Sequence, residues 1–171
     1  MSIEAIDDTH LDDDHFLLPG DWYFGMGGSI RTLLGSCVAV TFWHPLLHLG
    51  GMCHFVLPTS GKKRGATLDG RYGDEAIEAL LQSAQRATPR LLEYRIGLYG
   101  GGRMFAVAGR DDAHDIGQRN IEAARQLLAR VNLPICATHC GGSGHRNICL
   151  DLDSGIVAVR HGELTSGKEQ R

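Results

Sequence analysis

The chain has 171 residues, 43% of them hydrophobic, and a formal net charge of −3. That is one domain's length with enough apolar material for a core. Acids and bases are interspersed, so no clustered basic face marks a nucleic-acid surface, and no apolar run approaches the length of a membrane span, which argues against direct membrane insertion. The N-terminus lacks the basic start and apolar stretch of a signal peptide. Five cysteines in such a chain read as free thiols, and the expected location is cytoplasmic.

Residues 1–15 carry six acids and no Lys or Arg, the composition of an acidic flexible tail. The domain is expected over residues 16–162, followed by a polar tail over 163–171. Phe16-Leu17-Leu18-Pro19 and Trp22-Tyr23-Phe24 are apolar and dock on the domain or form an edge strand. Gly25-Met26-Gly27-Gly28 is a bend, and Ser29 to Leu34 reads as the first strand of the sheet that carries the site.

Ser36-Cys37-Val38-Ala39-Val40-Thr41-Phe42-Trp43 is rich in β-branched and aromatic residues and reads as a strand. Val38, Val40 and Phe42 share one face; Cys37, Ala39 and Thr41 share the other. A turn follows at His44-Pro45-Leu46-Leu47, and His48 to Leu57 is the return strand. With the turn centred between Pro45 and Leu46, Cys37 falls opposite His54. The same register gathers Leu49, Cys53, Phe55 and Leu57 with the apolar set, and a one-residue slip spoils both features. Cys53 is then a small buried hydrophobe. Cys37 and His54 are a thiol and an imidazole on one face, the minimum equipment of thiolate nucleophilic catalysis.

Residues 58–65, with Lys62, Lys63 and Arg64, form a basic loop, read on composition as a solvated turn. Residues 74–86 show an amphipathic stripe of Ala76, Ile77, Leu80, Leu81 and Ala84 and read as a helix ended before Pro89. Strands are expected over residues 91–99 and 105–107, separated by the turn glycines Gly100-Gly101-Gly102. Residues 115–130 form a second helix whose apolar stripe is broken at Asn120. A short strand follows at 135–139. Residues 147–151 and 155–160 form a hairpin around Asp153-Ser154-Gly155. Cys136, His139, Cys140, His145 and Cys149 fall near zinc-knuckle spacing. The first two cysteines are too far apart for the usual knuckle, and Cys149 alternates with Ile148 and Leu150 as in a strand. No metal is expected.

Thr32-Leu33-Leu34-Gly35-Ser36-Cys37-Val38-Ala39-Val40, followed by Gly51-Met52-Cys53-His54-Phe55-Val56-Leu57-Pro58, strongly resembles the CheD family of bacterial chemoreceptor glutamine deamidases. Further matches come in order: Tyr72-Gly73-Asp74-Glu75-Ala76, Gly101-Gly102-Arg103-Met104-Phe105, Ile116-Gly117-Gln118-Arg119-Asn120, and Gly141-Gly142 with Arg146. The resemblance implies an α+β fold: a layered sandwich of two mixed β-sheets with two main α-helices packed on one side. It implies that Cys37 is the nucleophile and His54 its acid/base partner. The family's orienting threonine stands six residues before the cysteine, where this chain has Arg31. Thr32 is the candidate third member and Ser36 the alternative, with backbone N–H groups near Ser36 and Cys37 as oxyanion donors.

The function so implied is that of a protein-glutamine glutaminase. It hydrolyses glutamine side-chain amides of methyl-accepting chemotaxis receptors to glutamate through a thioester, without a cofactor. A CheC-type phosphatase is a further partner known in the family. The competing readings are a Cys/His hydrolase of small amides, a transglutaminase-like variant, and a non-catalytic chemotaxis adaptor that binds the phosphatase or the receptor.

Overall fold

A computed structural model describes residues 13–63, 65–105 and 115–163. Strands β1 (Asp14–Leu17), β3 (Ser29–Leu34), β8 (His145–Asp151) and β9 (Val157–Gly162) make a four-stranded sheet in the order β1-β3-β8-β9. Strands β2 (Trp22–Met26), β5 (Leu49–Phe55), β4 (Val38–His44), β6 (Arg95–Gly100) and β7 (Ile135–Cys140) make a five-stranded sheet in the order β2-β5-β4-β6-β7. Both sheets are mixed: β1 runs parallel to β3, and β7 parallel to β6. Helices α1 (Gly73–Ala87) and α2 (Ile116–Arg130) cover one side.

The five-stranded sheet is the middle layer, which explains why β4 and β5 are apolar on both faces. Val38, Val40, Phe42, Cys53 and Phe55 pack against Ala76, Ile77 and Leu80 of α1 and Ala124 and Leu128 of α2. On the opposite face Ala39, Met52 and Tyr99 meet Leu17, Ile30, Leu34, Ile148 and Leu150 of the four-stranded sheet. Burying each of these large side chains contributes about 1.5–3 kcal/mol, so the two apolar layers fix the stacking order. The stripe of α1 is buried as its spacing requires, and α2 starts at Asp115, whose side chain caps the N–H groups of Gly117 and Gln118.

The expected layered α+β sandwich is what forms, with local corrections. Ser29–Leu34 belongs to the four-stranded sheet and not to the sheet of the β4–β5 hairpin. The hairpin register pairs His54 with Ala39, not with Cys37. The turn is centred between Leu46 and Leu47, because the buried His44 Nδ1 accepts from both backbone N–H groups at 3.2 Å and His48 takes a left-handed φ of 49°. Moving the partner by two residues leaves every side chain on its predicted face, since the strand period is two. Leu57 lies past the end of β5 and is exposed. Residues 91–93 form a 3₁₀ turn, so the next strand begins only at Arg95.

The expected strand at residues 105–107 falls mainly outside the described residues; Phe105 itself sits in a bend. Asp14 and His15, assigned to the acidic tail, lie in β1; residues 1–12 are outside the described residues, as is all of the polar tail beyond Glu163. The basic loop at residues 58–65 has exposed Lys62 and Lys63, and Thr59 donates to Asp74. Arg64 lies outside the described residues.

His44 is the device that sets the turn. Its other nitrogen, Nε2, lies 3.0 Å from Glu93, and its ring meets Tyr94 edge-on. His44→Ala removes these bonds and leaves a cavity. A loss of about 2–4 kcal/mol is expected, read as a lower urea midpoint with an unchanged m-value.

Candidate active site

His54 sits in β5 on the face that looks into the space between the sheets. It is only 2% exposed. Thr32 reaches it from the opposite sheet, with Thr32 Oγ1 2.7 Å from His54 Nδ1. The threonine hydroxyl donates its one proton to the Leu17 carbonyl at 2.8 Å. It therefore accepts from His54, which fixes the proton on Nδ1 and leaves the Nε2 lone pair free. Nε2 is buried and has no hydrogen-bond partner among the described residues.

Cys37 precedes Ala39, the strand partner of His54, by two residues and so shares its face. It packs, partly buried, on the same inter-sheet cluster. The placement is diagonal, with a backbone separation of about 7–8 Å, close enough for long side chains to meet. Cys37 thus lies just before β4, at the edge of the layer in which the histidine is buried.

Burial pushes the Cys37 thiol above its ordinary range, against the opposing pull of its own backbone N–H. Burial also pushes His54 down to about 4, although Asp21 and the Leu17 carbonyl favour its charged form. Both directions favour a neutral thiol beside a neutral imidazole, not a resting thiolate–imidazolium pair. Cys53, on the helix side of the sheet, is pushed up to about 12 by full burial, in keeping with its expected packing role.

The segment Gly35-Ser36-Cys37 is stitched to a glycine turn after β6. Gly101 N–H donates to the Cys37 carbonyl at 2.8 Å and Gly102 N–H to the Gly35 carbonyl at 2.9 Å. Gly100 has a φ of +104°, and a Cβ there would lie 2.3 Å from the Cys37 carbonyl oxygen, so only glycine permits the approach. Asn120, fully buried on α2, donates from Nδ2 to the carbonyls of Ser36 at 3.1 Å and Val56 at 2.8 Å. Arg146 stands opposite Leu34 in the β3–β8 register. Its Nε donates to His139 Nδ1 at 2.8 Å and its Nη2 to the Gly141 carbonyl.

Of the residues expected from sequence, Thr32 meets the His54 ring, whereas Ser36 gives its carbonyl to Asn120. Other parts of the site differ in how far the sequence signals them. The Leu17 carbonyl and the nearby Asp21 carry no sequence signal. Arg146 was visible only within the resemblance. Asn120 did leave a trace, as a polar break in the stripe of α2. The five residues weighed for zinc are divided between the sheets: Cys136, His139 and Cys140 lie on β7, and His145 and Cys149 on β8. Among the described residues, no group of three or more His, Cys, Asp or Glu side chains could hold a metal ion.

Fold and site together define an α+β sandwich with a thiol, an imidazole and a hydroxyl gathered at the space between its sheets. Residues 56–161 match the family described as CheD chemotactic sensory transduction, a match that begins just beyond Cys37 and His54. The chain is 45% identical over 147 residues to the probable chemoreceptor glutamine deamidase CheD of Pseudomonas syringae pv. tomato, covering 85% of this chain and 87% of that protein. It is 42% identical over 149 residues to the probable chemoreceptor glutamine deamidase CheD 1 of Chromobacterium violaceum, covering 86% and 77%. A more distant relative, the probable chemoreceptor glutamine deamidase CheD 1 of Leptospira interrogans, is 36% identical over 160 residues, covering 89% and 95%. The chain belongs to the CheD family.

Proposed function

We propose that this protein is a chemoreceptor glutamine deamidase, with Cys37 as nucleophile, His54 as acid/base and Thr32 as the group that orients His54. The observation that carries the reading is the run from the Leu17 carbonyl through Thr32 Oγ1 to His54 Nδ1. It dedicates Nε2 to proton transfer on the face that Cys37 shares. Family membership supplies the reaction class.

As the Cys37 sulfur attacks the glutamine side-chain carbonyl, His54 Nε2 takes the thiol proton. The resulting imidazolium is stabilised through Nδ1 by Thr32. The carbonyl oxygen gains negative charge and is met by backbone N–H groups at Ser36 and Cys37. His54 then protonates the leaving nitrogen, ammonia departs, and a thioester remains. Water, deprotonated by the same Nε2, attacks the thioester. Glutamate is released and the thiol is restored. These residues and water complete the cycle without a cofactor.

The substrate in this reading is a methyl-accepting chemotaxis receptor, and the site of action is the cytoplasm. A CheC-type phosphatase is a second candidate partner. Among the described residues no helix is long and apolar enough to cross a membrane. The proposal is tested by mass spectrometry of a receptor cytoplasmic fragment incubated with the protein. Glutamine-to-glutamate conversion at discrete positions supports it; conversion of free glutamine with the receptor untouched would redirect the reading to a small-amide hydrolase.

Thr32→Val keeps the shape of the side chain and removes its hydroxyl. Misplacing His54 is expected to lower kcat about ten- to a hundredfold. The unpaired Leu17 carbonyl and His54 N–H cost about 1–3 kcal/mol of stability. Steady-state kinetics and thermal unfolding of the same preparation read both effects.

A further inference from the structure

The backbone around Cys37 is held in place by its carbonyls. The Gly35 and Cys37 carbonyls are held by backbone N–H groups of the Gly101-Gly102 turn. The Ser36 carbonyl between them is held by a side chain, Asn120. Among the described residues all peptide bonds are trans, and in a planar trans peptide the N–H points opposite to the C=O. Fixing the Ser36 carbonyl therefore fixes the direction of the Cys37 N–H. No backbone carbonyl of another described residue takes that N–H or the one of Ser36. Both N–H groups can therefore serve as donors to an oxyanion formed at the Cys37 sulfur.

Asn120 has a second attachment. The same nitrogen donates to the carbonyl of Val56, two residues beyond His54. Both acceptors are carbonyls, so the NH₂ end of the amide must face them, and its two protons are fully used. One side chain thus joins the loop of the thiol to the strand of the imidazole, from a helix anchored by the Asp115 cap. Its Oδ1 is buried without a partner among the described residues, an arrangement that stability alone does not favour.

We propose that Asn120 is a positioning residue that aims the Cys37 backbone N–H as an oxyanion donor and holds it in register with His54. The inference rests on the deamidase reading above. It separates two properties of the site: the nucleophilicity of the thiol, which Asn120 does not set, and stabilisation of the oxyanion, which it does.

The test compares wild type, Cys37→Ala, Asn120→Ala and Asn120→Ser. Two quantities are measured: steady-state deamidation of a receptor cytoplasmic fragment, and the rate of Cys37 alkylation by iodoacetamide, read by peptide mass spectrometry. Alkylation displaces iodide at a saturated carbon and develops no oxyanion. Both Asn120 variants are expected to lose about ten- to a hundredfold in kcat with KM and alkylation rate unchanged. Asn120→Ser supplies a folded protein if the alanine variant does not, because its hydroxyl can turn back onto its own helix. An unchanged kcat, a change confined to KM, or kcat and alkylation falling together would overturn the proposal while leaving the deamidase reading intact. A wild type that converts no glutamine removes the deamidase reading and this inference with it; a Cys37→Ala protein that still converts it removes Cys37 as the nucleophile, and with it this inference, while the deamidase reading stands.

Discussion

Cys37→Ala is expected to abolish glutamine conversion on a receptor fragment, lowering kcat by on the order of 10⁴-fold or more. The residue is only partly buried and packs at the margin of the inter-sheet cluster. Truncating it removes little buried surface, so the variant should fold with a thermal midpoint close to wild type. Cys53→Ala provides the contrast. That thiol is fully buried among Val40, Phe42 and the helices and is expected to cost stability, about 1–2 kcal/mol, with kcat retained in the folded fraction. The two cysteines lie on opposite faces of one hairpin, so the pair of variants separates chemistry from packing within a single element.

The second large effect is acid destabilisation through His54. Its folded-state pKa is pushed down to about 4, mainly by burial, against an ordinary value of 6.5. Below pH 6.5 the unfolded chain takes up a proton that the folded protein refuses. Stability from this group is therefore fully present above pH 6.5, falls as the pH drops, and levels off below about pH 4. The shift corresponds to about 3 kcal/mol across that window. Urea unfolding at pH 7, 5.5 and 4.5, with His54→Gln in parallel, isolates the contribution from that of the carboxylates. The difference between wild type and variant should shrink toward acid pH. A difference that stays constant with pH would mean that His54 is not held neutral in the folded state.

The neutral resting pair also bears on how the thiol is activated. In the proposed mechanism, proton transfer to Nε2 accompanies attack on the substrate and does not precede it. Cys37 in the free protein should therefore be a slow target for alkylation at neutral pH.

Much of this could be read in the chain because side-chain period survives errors of register. The hairpin was placed with its turn one residue too early, yet Cys37 and His54 kept a common face and Val38, Val40, Phe42, Cys53 and Phe55 kept theirs. The turn position was hidden because it depends on His44, whose ring reaches forward to Leu46 and Leu47 in a way that no turn propensity encodes. The helices were legible from their stripes and from Asp115. The assignment of β3 to the other sheet was not, since strand pairing is set by contacts distant in sequence, with Leu150 beside Ile30 and Ile148 beside Thr32. That topology is what brings Thr32 to His54 across the sandwich. Its hydroxyl role was expected only from family resemblance. Asn120 is legible as a break in an apolar stripe and as the last residue of a family-like segment, the pattern of a residue that bonds a loop near the site or sits at a helix edge; its two acceptors are backbone atoms, which no side-chain pattern reveals.

The measurement that tests the central claim most directly is covalent trapping. A reaction between the protein and a receptor fragment is quenched in acid during turnover, digested at low pH and mapped by mass spectrometry. A receptor glutamyl group should be found in thioester linkage to Cys37, formed with loss of ammonia, and should be absent from the Cys37→Ala protein. Glutamine converted to glutamate at full rate with Cys37 never acylated, or by the Cys37→Ala protein, would contradict the assignment of Cys37 as the nucleophile.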